Sequence, residues 1–194
     1  GGECWGDTVV VGSYTSITSP YGAINLAGNV SEWVADWSGE EYPDTLVRNP
    51  IGASTGTWRI LRGGSWGSDI YSVRSAYRFG DDPDSAFPDT GFRCSVPASD
   101  LTWERPTDGM QMVYVPEGEF TMGIKFLEDT EPIHRVTLDA YWIDQTEVTN
   151  AMYALCVQAG VCQPPGYVFS ELGTLYYGNT EYDAYPVVHT TWEM

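Results

Sequence analysis

The hydrophobic positions of this chain are grouped in short runs. Residues 112–115 form an apolar β-like run that a proline ends, and residues 118–123 form a second run after a turn. Residues 134–143 alternate well enough between apolar and polar side chains to predict one further strand. Shorter β-like runs occur earlier, at residues 8–11 and 58–62. The pattern therefore predicts short strands joined by long loops.

One segment has the spacing of a helix. Thr149 is a suitable N-cap, because its hydroxyl can accept a hydrogen bond from a backbone N–H that the first turn leaves unpaired. Tyr153, Cys156 and Val157 share a face at helical spacing, and Gly160 supplies a left-handed stop. Little of the earlier part of the chain has helical periodicity. With short strands, long loops and few helices, the predicted fold class is an irregular α+β domain.

The charge balance of the chain narrows its possible partners. The 194 residues include 9 Lys and Arg against 27 Asp and Glu, which gives a formal net charge of −18. A chain this acidic does not bind nucleic acid or an anionic membrane surface by electrostatics, whereas it attracts cations. Aromatic residues make up 14% of the sequence, too many for a disordered acidic tail. No apolar stretch approaches the roughly 18 residues of a membrane helix, so we expect a folded protein without nucleic-acid or membrane partners.

The four cysteines, Cys4, Cys94, Cys156 and Cys162, bear on the compartment. An even number favours an oxidising compartment, extracellular or cell-envelope, over a cytosol with four reduced thiols, and the sequence leaves localisation otherwise unknown. Cys156 and Cys162 bracket the helix end, where the turn at Gly160 can bring them together, so we predict a local disulfide. The pairing of Cys4 and Cys94 stays open. Without a C-x-x-C motif and with two histidines, the chain argues against a structural zinc site.

Several motifs resemble those of the formylglycine-generating enzyme, or sulfatase-modifying factor, family. Residues 108–123 resemble the opening of that domain, and the Gly-Asn-Val-x-Glu-Trp motif lies within residues 19–37. The other matching segments are residues 61–66, 74–78, 91–94, 145–150 and 186–188, the last with Trp192. Together these segments cover most of the chain. The resemblance implies a C-type-lectin-like fold.

The order of these motifs is reversed relative to the family. Residues 1–96 resemble the C-terminal half of the domain, residues 97–109 read as a linker with two prolines, and residues 110–194 resemble the N-terminal half. The family's middle segment is missing. Two accounts fit: the end of one domain joined to the start of a second tandem copy, or one circularly permuted domain. A permutation should keep every piece, which favours the tandem fragment.

The resemblance also argues against the family's oxidase chemistry. Copper-dependent members use two cysteines that fall near positions 68–73 here, and no cysteine lies between residues 62 and 78. Ser68 and Asp69 cannot replace soft sulfur ligands. The related iron enzymes take histidines from an additional helical domain, and this chain has only His134 and His189, far apart. We therefore expect no catalytic residues and no copper or iron site.

A calcium site is the metal chemistry that the resemblance implies. The family's metal loop carries over to Asn25, Gly28, Val30 and Glu32, which would offer an amide oxygen, two main-chain carbonyls and a carboxylate. Calcium prefers such oxygen ligands. Its role would be to hold loops together. The alternative is that Asn25 and Glu32 only hydrogen-bond the same tight turn.

Two functions are consistent with these residues. The first is a non-catalytic, calcium-stabilised binding or structural module whose loop surface includes Trp66, Ser68, Asp69 and Tyr71 and faces a protein or small-molecule ligand. The second is a fragment of an oxidoreductase of the family whose catalytic residues lie outside this chain. The missing cysteine pair favours the first.

Overall fold

The computed structural model describes residues 7–39, 45–99, 104–125, 130, 132–170 and 172–193. These residues form ten strands, one α-helix and a short 3-10 turn at Thr180–Tyr182. The strands are β1 (Ser31–Trp37), β2 (Val47–Arg48), β3 (Arg59–Arg62), β4 (Phe79–Asp81), β5 (Thr90–Gly91), β6 (Ser95–Pro97), β7 (Met112–Val115), β8 (Gly118–Met122), β9 (His134–Leu138) and β10 (Tyr141–Asp144). No described helix is both long enough and apolar enough to cross a bilayer.

The predicted helix is confirmed as α1 (Asn150–Gln158). The Thr149 hydroxyl accepts a hydrogen bond from the Met152 N–H at 3.3 Å, as an N-cap does. Gly160 adopts a φ of +72° just after the helix, which ends it with a left-handed turn. Tyr153 is buried on the inner face, so packing of this face holds the helix to the rest of the domain.

The strand predicted over residues 134–143 is wrong as a single element. β9 pairs with β8, whereas β10 pairs with β6 and β7 in a different sheet. The break falls at Asp139, whose N–H donates to the Asn49 side-chain oxygen at 2.8 Å and whose carboxylate accepts from the Asn49 amide at 2.7 Å. Side-chain hydrogen bonds thus replace ladder bonds where the chain passes between sheets.

The β-like run at residues 8–11 forms no strand. The Val9 N–H donates to the Asn29 side-chain oxygen at 2.9 Å, and the Val11 N–H donates to the Ala184 carbonyl at 3.0 Å. These backbone groups are therefore satisfied by a side chain and a loop instead of a neighbouring strand. The run at residues 58–62 is confirmed as a strand, since it contains β3.

Three sheets form, with strand orders β4-β3-β1-β5, β6-β10-β7 and β2-β9-β8. Two of them join strands from distant parts of the chain. β6 pairs antiparallel with β10, where Val96 lies opposite Trp142, and β2 pairs parallel with β9, where Val47 lies opposite Val136. Residues before and after position 97 consequently share hydrogen-bonded sheets.

The core also draws on both parts of the chain. One cluster contains Met110, Val148, Tyr153 and Val187, and the Phe92 ring packs edge-on against Tyr153 with ring centroids 6.2 Å apart. A second cluster contains Val30, Tyr176 and Val188. Side chains from both parts of the chain therefore pack together in each cluster.

The C-terminal end of the predicted linker carries a charged network. Arg105 donates to Asp108 at 2.6 Å and, through its other terminal nitrogen, to both oxygens of the fully buried Asp144 at 3.0 Å. The Arg105 N–H also donates to the Met110 carbonyl at 2.8 Å. Residues 105–110 are therefore fastened to β10 and to the first core cluster.

Candidate functional site

The loop that leads into β1 is shaped by residues in the left-handed region. Asn25, Gly28 and Asn29 have φ values of +58°, +89° and +65°. Asparagine tolerates this region better than most other side chains, and glycine adopts it freely. The loop curls through these three positions and then buries Val30, which is 1% exposed. The curl places the Asn25 side chain and the Glu32 side chain of β1 in the interior.

Glu32 is held by a basic side chain that the sequence reasoning did not assign to the site. The Arg93 Nε donates to both carboxylate oxygens of Glu32, at 2.9 and 2.8 Å, and a terminal nitrogen adds a third bond at 2.6 Å. The side chains of Arg93 and Glu32 are 4% and 11% exposed. Arg93 also donates to the carbonyls of Ile24 at 3.0 Å and Gln145 at 3.3 Å. The sequence did contain one signal that points to Arg93. A buried carboxylate needs a basic partner, and the chain has only 9 Lys and Arg residues.

Glu147 lies beside the same loop and is fully buried. Its Oε1 accepts a hydrogen bond from the Asn29 side-chain amide at 2.8 Å. Its Oε2 has no hydrogen-bond partner among the described residues. Burial, followed by the nearby negative charge of Glu32, raises the pKa of Glu147 to about 7. Glu147 lies in the motif at residues 145–150, which by itself gives no indication that this side chain belongs to the site.

The oxygens around this loop suit a hard cation. The Asn25 side-chain oxygen is buried and has no hydrogen-bond partner among the described residues, as is true of Glu147 Oε2. Amide, carboxylate and main-chain oxygens are the ligands that calcium takes. In the described ranges no group of three or more His, Cys, Asp or Glu side chains is placed to hold a metal. A cation here would therefore depend on amide and main-chain oxygens as well as carboxylates.

A second candidate site, the Ser68 cavity, has a volume of about 320 Å³ and lies next to β3. The residues that line it include four with aliphatic hydroxyls, two with carboxylates and three with aromatic rings: Ser31, Ser68, Ser72, Thr90, Asp81, Asp89, Tyr77, Phe79 and Phe87. Arg62 also lines it, but one guanidinium nitrogen is bonded to backbone, donating to the Ala76 carbonyl at 3.2 Å and the Tyr77 carbonyl at 2.9 Å. The cavity therefore offers hydroxyl, carboxylate and aromatic groups.

A hydrogen-bonded turn shapes one wall of this cavity. The Ser65 hydroxyl donates to Asp89 at 2.6 Å, and the Ser65 N–H donates to the Ser68 hydroxyl at 2.9 Å. Asp69 accepts from the N–H groups of Tyr71 and Ser72, each at 2.9 Å. The hydrogen bonds from Ser72 lower the pKa of Asp69. Polar contacts thus fix the loop that carries the predicted ligand residues.

The structure brings together only part of the predicted ligand surface. Ser68 lines the cavity, whereas Trp66, Asp69 and Tyr71 lie outside its described lining. Tyr71 is 66% exposed on the neighbouring loop surface. The main-chain N–H of Trp66 donates to the Asn29 main-chain carbonyl at 2.9 Å, which joins this loop to the loop that carries Asn25. A main-chain hydrogen bond therefore joins the loops that carry the two candidate sites.

The described cysteines, Cys94, Cys156 and Cys162, lie outside the lining of the Ser68 cavity. Cys156 and Cys162 form a disulfide across the end of α1, with Cα atoms 5.3 Å apart. Cys94 has a free thiol, and burial raises its pKa. Cys4, whose pairing the sequence left open, lies outside the described residues. The stretch where the family's copper-dependent oxidases have their cysteine pair contributes hydroxyl groups here.

Comparison with known proteins shows the family of this chain. The family model of the sulfatase-modifying factor enzyme 1-like domain matches it twice, over residues 4–98 and 97–193. The chain belongs to this family. This sulfatase-modifying factor domain has the predicted C-type-lectin-like α+β fold. Two of its sheets join short strands from both matched ranges, and a third sheet and one capped helix complete it.

Relatives of this sulfatase-modifying factor domain include a protein kinase and a formylglycine-generating enzyme. Serine/threonine-protein kinase pkn1 of Chlamydia pneumoniae is 38% identical over 92 residues, which is 46% of this chain and 14% of that protein. Formylglycine-generating enzyme of Thermomonospora curvata is 43% identical over 84 residues, 39% of this chain and 27% of that protein. Among solved structures, Treponema denticola variable protein 1 matches with a TM-score of 0.41 and 31% identity over 44% of this chain and 31% of that chain. The domain thus matches less than a third of each relative.

Proposed function

We propose that this chain is a non-catalytic sulfatase-modifying factor domain that acts as a calcium-stabilised binding module. The observation that carries the proposal is the chemistry of the Ser68 cavity. Among its described lining residues, Ser68 and Ser72 fall in the stretch where the family's copper-dependent oxidases have their thiolates. Hard oxygen groups bind copper(I) poorly. The cavity is suited to hydrogen bonding, so recognition is the activity that its residues support.

The ligand that fits this cavity is polar on one side and apolar on another. Asp81 and Asp89 offer carboxylate oxygens, while Phe79 and Phe87 are 50% and 38% exposed and offer ring faces. Exposed rings beside fixed polar groups are typical of small-molecule and peptide-binding sites. The cavity volume of about 320 Å³ suits a small molecule or one protruding side chain of a protein. Nucleic acid is an unsuitable partner because of the net charge of −18.

Calcium has a structural part in this proposal. Asn25 and Glu32 would supply side-chain oxygens, and Gly28 and Val30 would supply main-chain carbonyls. When bound, the ion supplies positive charge that fixes the loop, and no reaction depends on it. The loop in turn supports the cavity wall, because the Asn29 carbonyl accepts from Trp66 and the Gly28 N–H donates to the Gly63 carbonyl at 3.0 Å. The Cys156–Cys162 disulfide supports placing the protein outside the cytosol, in the extracellular space or cell envelope.

A second candidate is a fragment of an oxidoreductase whose catalytic residues lie elsewhere in a longer protein. The observation that favours it is the 43% identity with a formylglycine-generating enzyme, of which the matching region covers only 27%. In that case the Ser68 cavity would be completed by residues outside this chain. The proposal and this alternative differ in whether the chain itself oxidises cysteine.

The test of catalysis is direct. The purified chain is incubated with copper(I), oxygen and a cysteine-containing peptide, and mass spectrometry follows the peptide's cysteine, with a formylglycine-generating enzyme assayed alongside. We expect the enzyme to convert the peptide and this chain to leave it unchanged. Conversion by this chain that copper chelation abolishes would overturn the proposal.

The test of binding uses matched variants on two exposed rings. Fragments from a small-molecule screen are ranked by the chemical-shift changes that they cause in the NMR spectrum of the chain. Phe79→Ala removes a ring from the cavity, whereas Phe120→Ala removes one of similar exposure, 46%, from β8. We expect fragment binding to be lost in Phe79→Ala and retained in Phe120→Ala. Binding that ignores both variants contradicts a ligand site at the Ser68 cavity.

A further inference from the structure

The structure has another cavity, which we call the His134 cavity, and it shares no described lining residue with the Ser68 cavity. Its volume is about 430 Å³. Trp37 of β1 and Ile60 of β3 line it from one sheet, and Met122 of β8 and His134 of β9 line it from another. The cavity therefore lies where two sheets meet, and a volume of this size is typical of small-molecule sites.

Strand pairing gives this cavity a mainly apolar wall. Met122 lies directly opposite His134 in the antiparallel register, so both side chains point to the same face of their sheet. Val47 of β2, which also lines the cavity, lies opposite Val136, two positions after His134, and so points to that face as well. The His134 ring is 4% exposed, and its Nδ1–H donates to the Pro132 carbonyl at 2.9 Å. The wall is therefore held in place by the sheet and by this hydrogen bond.

The loop after β2 is fixed at both ends and carries further lining residues. Asn49 exchanges hydrogen bonds with Asp139 at one end, and Ala53 forms an isolated bridge with the last residue of β1 at the other. Between them, Gly52 has a φ of +68°, and a Cβ at this position would lie 2.6 Å from Asp36 Oδ1. The absence of a side chain at Gly52 thus leaves room for the Asp36 carboxylate at the cavity.

Two half-buried residues of opposite charge, Asp36 and Arg78, line the same cavity. The third charged lining residue, Arg48, pairs with Asp139 on the surface. Arg59 interacts electrostatically with Asp36, but its guanidinium donates to a main-chain carbonyl of β1 at 2.6 Å and stacks on two indole rings. A guanidinium carries five N–H donors, so Arg78 can serve a ligand while keeping contacts of its own.

The charge of the whole chain restricts the ligand further. With a formal net charge of −18, the protein repels a small anion, and a cation would meet the guanidinium of Arg78 in the cavity. A zwitterion carries no net charge and offers one group to each of the two side chains. The apolar wall requires that such a ligand also have an apolar body.

We propose that the His134 cavity binds a free α-amino acid with a large apolar side chain. The ammonium group of the ligand pairs with Asp36, its carboxylate pairs with Arg78, and its side chain lies against the apolar wall that includes Val47 and Met122. This site depends on neither the Ser68 cavity nor the proposed calcium loop, so it adds a second recognition function to the domain.

The test is isothermal calorimetry of the full chain with L-leucine, L-methionine and L-phenylalanine. Each is compared with its N-acetyl derivative, which lacks the ammonium group, and its amide, which lacks the carboxylate. We expect saturable binding of at least one of the three amino acids and a Kd at least about tenfold weaker for both of its blocked derivatives, since each leaves a charged side chain unpaired. Glycine, which lacks the apolar body, should also bind at least about tenfold more weakly.

Matched variants locate the binding. Asp36→Asn keeps the size of the side chain and removes its charge, and Asp183→Asn is its control, because Asp183 is an exposed residue after the 3-10 turn. Arg78→Gln removes the guanidinium, and Arg135→Gln is its control, because the Arg135 side chain is 63% exposed on β9. We expect a Kd at least about tenfold weaker for Asp36→Asn and Arg78→Gln, and a Kd within about twofold of wild type for both controls.

Three results would overturn the proposal. The first is the absence of saturable binding of all three amino acids by the folded wild type. The second is an equal Kd for an amino acid and its two blocked derivatives, because the charges of the ligand would then have no part in recognition. The third is an unchanged Kd in Asp36→Asn and Arg78→Gln, which would place the ligand elsewhere. Where a variant fails to fold by circular dichroism, the blocked derivatives carry the test on the wild type.

Discussion

Arg93 and Glu32 are 61 positions apart in sequence, yet the guanidinium makes three hydrogen bonds to the carboxylate, with the shortest at 2.6 Å. Both side chains are almost completely removed from solvent. Arg93 further donates to main-chain carbonyls at Ile24 and Gln145. One side chain thus fixes β1, the loop before it and the approach to α1.

Removing Arg93 should therefore be strongly destabilising. Arg93→Met leaves Glu32 buried without its partner, which costs about 3–5 kcal/mol. The control is Arg48→Met, which breaks an ion pair with Asp139 whose side chains are 59% and 55% exposed and costs about 1 kcal/mol or less. Urea unfolding in calcium-free buffer measures both. Equal losses for the two variants would show that the Arg93–Glu32 pair has no special importance.

A second arginine, Arg59, lies between two indole rings. Its guanidinium carbon is 3.5 Å from the centroid of Trp37 and 3.3 Å from that of Trp192. Trp192 comes from the far end of the chain, and its Nε1–H donates to the Val34 carbonyl at 2.9 Å. The stacked group therefore also joins the two matched ranges.

Arg59→Lys should lose about 1–2 kcal/mol of unfolding free energy, because a lysine ammonium cannot stack its plane on both rings. Arg135→Lys is the matched control, since Arg135 pairs with Glu119 on the surface, and its loss should stay below about 0.5 kcal/mol. Urea unfolding followed by tryptophan fluorescence checks the difference. A loss for Arg59→Lys no larger than that of the control rules out a stabilising stack.

Glu147 should make the stability of the calcium-free protein depend on pH. Its pKa is raised from 4.5 to about 7, so the folded state holds the proton more tightly than the unfolded state does. This group therefore destabilises the fold progressively as the pH rises from about 4.5 to about 7, by at most about 3 kcal/mol. Glu147→Gln removes the effect and should be more stable than wild type at pH 8.

Urea unfolding at pH 5 and pH 8 in calcium-free buffer measures that dependence. The expected gain of Glu147→Gln over wild type is small at pH 5 and largest at pH 8. Comparing the two proteins at each pH cancels the other titrating groups. The same difference at both pH values would contradict the raised pKa of Glu147.

The disulfide at the end of α1 should stabilise the fold moderately. Cys156 and Cys162 are separated by 6 positions, and closing so short a loop in the unfolded chain is worth about 2 kcal/mol. Thermal melts with and without dithiothreitol check this value. The Tm of the wild type should fall on reduction, while that of Cys156→Ser/Cys162→Ser should start lower and not respond. A response of the double variant would assign the effect to another disulfide.

Local signals in the sequence predicted the local structure. The proline after residue 115 marks the end of β7, and the Thr149 cap and the Gly160 turn bracket α1. The division of residues 134–143 into two strands was not predictable, because Asn49, which bonds Asp139 at the break, is 90 positions away. Side chains from distant segments decide such breaks, and periodicity does not record them.

The candidate sites show the same limit. The motif at residues 25–32 identified the loop and Glu32, because its pattern is contiguous in sequence. It gave no indication of Arg93 or Glu147, which are 61 and 118 positions from the residues that they contact. Ser68 was predicted as a ligand residue and lines the cavity. The carboxylates of Asp81 and Asp89 reach the same cavity only through the fold.

The most direct test of the account is a thermal melt of the wild-type chain, first stripped with EDTA and then given excess calcium. An ion that binds only the folded state at about 100 times its Kd adds about 2.7 kcal/mol, which should raise the Tm of one cooperative transition by about 5–10 °C. Magnesium at the same concentration should raise it less, since it accepts such a site poorly. A broad transition that calcium does not move would contradict a calcium-stabilised domain completed by both parts of the chain.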